Sequence, residues 1–437
     1  VDGVSVGAVT NYTFTGITAD HTIAVTFAAA SIPSDYCAIP PFIASSAPPN
    51  VMLMLSVETP MQGPANVKVT PSGIPSDINY TASSTSGGCG NGALGCYDNA
   101  MEYYGYFESG KCYTYSSDMF VPSGAATNHQ CAAGTAWSGN FLNWATTMAV
   151  DAFRKAFTGG NRDTDTTSST VILAARHQSS WFPDPVRIDN AELYVPVSGS
   201  GVTRYLRRAG TGMGFVLCNA GQTNCSFSTT GSGESRFPVA GSNAQAAYKL
   251  RIKACDSTGG VETRCNTVTN KPEGVIQKYM DRIRFALISY AADDSESRDG
   301  GVLRANMKWV GPKIPYGLRY HDAGGSIQTC NSSAGCANPV KEVDDNGLFQ
   351  NNPDGASSAN SGVINYINKF AYSSGYKSHD PMGEMYYEVV RYFMNLTPSV
   401  NNYCNGLTSF SSGYADGFAF YCNSSKTNTW EIGRAHV

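Results

Sequence analysis

Thirteen cysteines carry most of the chemistry that this sequence offers. Twelve fall into short-range couples: Cys89 with Cys96, Cys112 with Cys131, Cys218 with Cys225, Cys255 with Cys265, Cys330 with Cys336, and Cys404 with Cys422; Cys37 is left over. A disulfide that closes a short loop rich in Gly, Ser and Asn restricts the unfolded chain, for roughly 2–3 kcal/mol per bridge in the loop-entropy account. The competing chemistry is metal ligation by thiolates. No CxxC occurs, however, and the couples lie 6 to 19 positions apart, unlike zinc ribbons or fingers. CxxCH is also absent, which excludes covalent haem of that type. The reading is therefore disulfides in an oxidising compartment, with the connectivity open because spacing alone does not fix it.

The carboxylates offer hard-cation chemistry, since clustered carboxylate and carbonyl oxygens suit Ca²⁺. Such clusters occur at Asp163 with Asp165, at Asp293 and Asp294 with Glu296 and Asp299, and at Asp344, Asp345, Asn346 and Gly347 with Asp354. None has the twelve-residue EF-hand spacing with its final Glu, so solvated turns are the plainer reading, and the 344–354 loop is the best calcium candidate. Calcium is the one cofactor left open. His21, His129, His177, His321 and His379 are scattered and read as surface or turn residues. No HExxH, G-x-S-x-G or P-loop is present. Gly210, Gly212 and Gly214 mimic a dinucleotide fingerprint but lead into Phe215, Val216 and Leu217, a strand pattern, so a turn is expected there. Tyr103, Tyr104, Tyr106, Tyr113 and Tyr115 could form a contact surface, although core packing is the plainer role.

Composition sets the setting. Only 15% of the 437 residues are charged, the formal net charge is -4, and no Lys/Arg-rich run exists, which argues against a nucleic-acid or anionic-membrane surface. The longest apolar runs, such as 51–55, are far shorter than the ~20 residues of a spanning helix. With 45 Gly and 21 Pro the texture is extracellular and rich in strands and loops.

These groups need elements to hold them. Residues 1–28 alternate apolar and polar positions (Tyr12, Phe14, then Ile23, Val25, Phe27), the period of a hairpin too short to fold alone. Residues 29–49, with five prolines, read as a linker. Apolar runs at 50–55, 170–175 and 284–291 read as strands buried in a parallel sheet. Between them, Phe141, Trp144, Ala145, Met148, Ala149, Ala152, Phe153 and Ala156 form one helical stripe stopped by Gly159 and Gly160. Further helices are expected over 275–283, 363–371 and from an Asp380 N-cap with Pro381 at the first position to Met394. Buried strands alternating with amphipathic helices predict an α/β fold with an open sheet. Three stretches, about 62–136, 177–272 and 310–360, read as β-rich, disulfide-tied insertions with strands at 191–197 and 246–253. Residues 431–437, EIGRAHV, resemble a translated adapter tail, and the chain is expected to be a piece open at both ends, any signal peptide lying upstream.

NVMLMLSVETPM at 50–61, WSGNFLNWATTMAVDAFRKAFTGG at 137–160, KPEGVIQKYMDRIRFALISYA at 271–291, RDGGVLRANMKWVGPK at 298–313, SGVINYINKF at 361–370 and DPMGEMYYEVVRYF at 380–393 carry a resemblance. In that order they resemble the N-terminal region of the PilY family, type IV pilus tip adhesins and assembly factors, over about residues 36–425. The preceding 1–28 resembles the end of an internalin B-type surface repeat. The resemblance implies a von Willebrand factor A-like (Rossmann-like) domain over 50–430, followed in the family by a β-propeller that holds a calcium site and is absent here. It also implies a metal loop of the Asp-x-Ser-x-Ser kind, whose matching positions are Ser56, Glu58 and Pro60, with Asp380 for a later Thr. That set is poor for Mg²⁺, because proline has no ligand and serine replaces the main carboxylate.

The implied function is a non-enzymatic, pilus-associated protein, exported through the periplasm to the cell surface, that supports pilus assembly and adhesion. Its implied partners are minor pilins and a host or abiotic surface. The alternative is a secreted enzyme acting on an extracellular polymer through carboxylates in the insertions.

Overall fold

The computed structural model describes residues 1–7, 9, 12–24, 48–66, 97–176, 185–208, 210, 212–290, 301–321, 326–356, 358–372, 376, 381–396 and 418. The chain divides into two compact units, Val1–Ala47 and Pro48–Val437. In the first, the described residues form turns and extended chain without a strand ladder. Asp2 closes this segment, its carboxylate accepting the Thr22 N–H at 2.7 Å and lying 2.8 Å from His21 Nδ1.

The second unit contains a small sheet in which Asn50–Leu55 runs parallel to Arg284–Ser289, in register from Asn50 opposite Arg284 to Leu55 opposite Ser289. Val302–Lys308 joins antiparallel. These two runs, expected as buried strands of a parallel sheet, are neighbours in it; the burial of Phe285, Ala286, Leu287 and Ile288 explains why no polar residue interrupts the second, whereas Val51, Met52, Leu53 and Met54 are only half-buried, short of the expected burial on both faces. The third expected strand is elsewhere. Ser169–Leu173 pairs antiparallel with Arg251–Ala254 in a six-stranded sheet, so its unbroken apolar run reflects burial on both faces rather than parallel partners.

That six-stranded sheet has the order Trp137–Ser138, Lys111–Ser116, Met119–Ala125, Arg251–Ala254, Ser169–Leu173, Arg162–Thr166, and a four-stranded sheet has the order Ala244–Lys249, Gly214–Cys218, Arg204–Arg208, Val186–Ile188. The segments expected to decorate a central sheet thus build sheets of their own around a separate core. Phe120, Trp137, Phe215 and Tyr248 are its centre, with Trp137 4.8 Å from Tyr248 and 5.3 Å from Phe215 between ring centroids. Aromatic side chains of this size bury enough surface to found a core, which is why these segments are not appendages. The expected strand over 191–197 is instead a 3-10 turn, Ala191–Leu193, closed by Val195 N–H donating to Ala191 O at 2.8 Å.

Five helices complete the described part: α1 Gly139–Thr146, α2 Ala149–Thr158, α3 Val275–Lys278, α4 Val363–Lys369 and α5 Met382–Phe393. The single stripe of 141–156 is therefore two helices. Thr147 and Met148 are extended, because the 63–65 segment docks there like a strand: Ala65 N–H donates to Thr147 O at 3.0 Å and Ala149 N–H to Gly63 O at 2.8 Å. Asp151 then caps the second helix from within its first turn. The helix expected over 275–283 is one turn long. Pro381, not Asp380, holds the N-cap position of α5; Asp380 lies outside the described residues. Both α4 and α5 pack on the three-stranded sheet.

Four disulfides are formed as coupled by spacing: Cys112–Cys131, Cys218–Cys225, Cys255–Cys265 and Cys330–Cys336. Cys37, Cys89, Cys96, Cys404 and Cys422 lie outside the described residues.

Candidate functional site

Four segments far apart in sequence converge on a polar cleft of about 330 Å³. Asn161, Arg162, Asp163 and Asp165 come from the edge of the six-stranded sheet, Glu234 from the Gly233–Ser235 turn, Phe349 and Asn351 from a short hairpin, and Asn365, Asn368 and Lys369 from α4.

Helix periodicity explains the last group, since positions i, i+3 and i+4 share one face. The orientation of α4 is set at its start, where the Glu342 carboxylate accepts the N–H groups of Val363 at 2.9 Å and Ile364 at 2.7 Å, first-turn donors that have no partner inside the helix. Glu342 is only 1% exposed and tolerates burial because Lys308 Nζ lies 3.0 Å away. Burial would lower the Lys308 ammonium pKa, but the Asp354 and Glu342 carboxylates outweigh it and hold the group above its ordinary value. Gly362 allows this approach: its φ is +96°, and a Cβ there would sit 2.9 Å from the Glu342 carboxyl carbon.

Arg162 is the corresponding fixture on the sheet side. Its guanidinium donates to both Asp165 oxygens at 3.1 and 2.9 Å, to Gly347 O at 2.6 Å and to Pro272 O at 2.9 Å, and it lies 3.5 Å over the Phe349 ring. One buried fork thus ties three segments together. Asp165 also accepts the Phe349 N–H at 2.9 Å and lies 3.4 Å from Lys271 Nζ, and Asp163 accepts from Arg251 Nε at 2.8 Å. On the far wall, Asn161 donates to Glu234 at 2.8 Å, Lys369 donates to the Asn351 side chain at 3.0 Å, and Lys369 Nζ stands 3.8 Å from Glu234. Every carboxylate in the described lining therefore already faces a cation.

The residues singled out from the sequence are distributed differently. Ser56 Oγ donates to Glu58, and Pro60 lies in the 3-10 helix Thr59–Gln62; with Asp380 outside the described residues, no ligand set is assembled among the described ones. The two ends of the 344–354 loop serve separate purposes. Asp344 Oδ1 accepts the N–H groups of Asn346 and Leu348, both at 2.9 Å, closing a turn, whereas Asp354 pairs with Lys308; Asp345 and Asn346 are exposed. Asp163 and Asp165 do meet in the cleft, but as counter-ions to Arg251, Arg162 and Lys271. Asp293, Asp294, Glu296, Asp299, His177 and His379 lie outside the described residues. His129 Nδ1 is 2.7 Å from Asn99 O. Gly214 opens a strand, as expected for a turn rather than a dinucleotide loop. Tyr103, Tyr106 and Tyr113 are buried packing residues, and Tyr104 is half-exposed.

Cys255, Glu262 and Cys265 place three potential ligand atoms within 4.8 Å of one another, yet the two sulfurs are joined and Glu262 accepts the Cys255 N–H at 2.5 Å. Burial pushes the Glu262 carboxyl above its usual range. Sequence reasoning missed Arg162, Glu342, Asn365 and Asn368. The available signal was a charged or amide residue inside an otherwise apolar stretch, as in Asn365, Asn368 and Lys369 among Val363, Ile364, Ile367 and Phe370.

Comparison with known proteins adds lineage. Residues 95–236 match the family described as PilY1 homolog, small alpha/beta domain. A protein named type IV pilus biogenesis factor PilY1 homolog, from Xylella fastidiosa strain Temecula1, is 34% identical over 337 residues, covering 69% of this chain and 26% of that protein. A second protein of the same name and organism is 29% identical over 259 residues, covering 50% of this chain and 17% of that protein. The matched part of the chain thus spans about a quarter or less of these relatives. No solved structure matches.

Proposed function

Because the chain belongs to the PilY family, we propose that it is a non-enzymatic part of a type IV pilus-associated surface protein, supporting pilus assembly and adhesion. The observation that carries this reading is the 34% identity over 337 residues to a protein named as a pilus biogenesis factor. In this proposal residues 1–28 are the end of a surface repeat, 29–49 a linker, and 50–430 a von Willebrand A-like domain whose small sheet carries the large disulfide-tied segments; the chain is exported through the periplasm. The bridged loops support an extracellular setting, since disulfides persist where the medium is oxidising. No described helix is long and apolar enough to cross a membrane.

Adhesion in this reading does not use Mg²⁺ at the Ser56 and Glu58 positions. Its contacts to minor pilins and to a host or abiotic surface are polar and aromatic groups on stiffened loops, which lose little entropy on binding. The enzymatic alternative is weaker: glycan-cleaving carboxylate pairs need one member kept protonated and one free, whereas Asp163, Asp165 and Glu234 are each engaged by cations or amides.

The test is complementation. In a piliated bacterium lacking its own copy, the full-length gene should restore pili and attachment, and Glu58→Ala should do so equally well. The reading falls if the full-length gene restores neither, or if Glu58→Ala abolishes both attachment and Mg²⁺ binding by titration calorimetry.

A further inference from the structure

We propose that the polar cleft between α4 and the edge of the six-stranded sheet binds a neutral saccharide unit, which names the ligand class of the adhesive contact and so rests on the reading above. Three features of the cleft select this chemistry. The first is a complementary pair of unused groups one turn apart on α4. Among the described residues, Asn365 donates through Nδ2 to Asn351 O at 2.8 Å while its Oδ1 accepts no hydrogen bond, and Asn368 accepts from Thr158 Oγ1 at 2.5 Å while its Nδ2 donates none. Asn365 is 5% and Asn368 1% exposed, so both amides are held in place before any ligand arrives. A sugar hydroxyl both donates and accepts, so neighbouring hydroxyls satisfy such a pair.

The second feature is charge. Asp163 faces Arg251, Asp165 faces Arg162 and Lys271, and Glu234 lies near Lys369. A cation entering the cleft meets a guanidinium and an ammonium, and an anion meets three carboxylates; a neutral ligand meets neither obstacle, and its hydroxyls can use the remaining lone pairs of the carboxylates. The third is shape. The volume of about 330 Å³ lies at the small end of the ~300–1,000 Å³ range of small-ligand sites. Among the described residues Phe349 is the only ring in the lining, and Arg162 covers one of its faces. The described lining thus offers no apolar recess for a peptide side chain.

The experiment titrates the oxidised chain with glucose, galactose, mannose and N-acetylglucosamine, read by calorimetry and by saturation-transfer NMR. Glucuronate, CaCl₂ and N-acetylglycine methylamide serve as the anionic, cationic and peptide-amide arms. At least one neutral sugar should bind saturably. Lys369→Met and Asn368→Asp, the latter keeping the oxygen that Thr158 uses while replacing the free donor, should each weaken it about tenfold, the equivalent of one hydrogen bond of ~1.4 kcal/mol. If Asn368→Asp does not fold, Asn351→Ala at an exposed position takes its place. The proposal is overturned if no neutral sugar binds, if the folded variants bind as well as the parent, or if glucuronate, calcium or the peptide amide binds as tightly as the best sugar. Failure here with successful pilus complementation removes only the saccharide assignment, and the converse removes only the pilus reading.

Discussion

Asp151 illustrates how far one buried group couples local structure to solution behaviour. It is 1% exposed, accepts the Ala175 N–H at 2.9 Å and the Met148 N–H at 3.4 Å, and so fastens the start of α2 to the end of the Ser169–Leu173 strand. Burial pushes its pKa up from 3.8 to about 6, against the pull of Arg154. A carboxyl whose folded pKa lies above its unfolded value binds protons more tightly in the folded state. Its stabilising contribution is then fully present below about pH 4 and lost as pH rises through about 6. At roughly 1.4 kcal/mol per pKa unit the loss is about 3 kcal/mol. Asp151→Asn, which keeps the acceptor for Ala175, should remove this dependence. In urea unfolding the stability difference, variant minus parent, should rise by about 3 kcal/mol between pH 4 and pH 7. A flat difference would mean that the carboxyl is not desolvated.

Among the elements, the Cys112–Cys131 bridge is the most informative to cut. It joins the Lys111–Ser116 strand to the chain that enters α1, and its 19-residue separation is the longest among the described bridges. Both cysteines are nearly buried, packed with Ala136. Replacing both by serine should lower stability by about 3 kcal/mol in the loop-entropy account, seen as a lower urea midpoint with an otherwise similar near-UV spectrum. A loss under about 1 kcal/mol would show that the reduced chain already keeps this loop closed, since the entropic gain exists only if the unfolded loop is free. The broken helix belongs to this scale as well. An apolar stripe at helical spacing reports which face is buried, and it is blind to a strand-like segment such as 63–65 that docks across Thr147 and Met148.

For the molecule as a whole, the disulfide framework makes a countable prediction. Four of the six expected bridges join described residues, and Cys37 alone has no short-range partner in the sequence. Chain made in an oxidising compartment, denatured and alkylated, should carry at most one modified thiol by intact mass. Three or more would refute the framework and with it the argument for stiffened contact loops.

Local chemistry made several of these features readable in advance. Short cysteine couples bridge because loops of a few residues bring their ends together at little entropic cost. The runs at 50–55 and 284–291 read as strands of a parallel sheet because burial on both faces leaves no room for alternation, and the α4 and α5 patterns read as helices for the matching reason at period 3.6. Folding alone decided that Ser169–Leu173 belongs to another sheet, and that the segments between the two parallel strands own a core built on Phe120, Trp137, Phe215 and Tyr248. It decided the cleft too. Asn161, Glu234, Phe349 and Asn368 have no common spacing, and their meeting depends on Arg162 and Glu342 finding buried partners across the chain. Periodicity records whether a side chain is buried, and it carries no record of which distant group it is buried against.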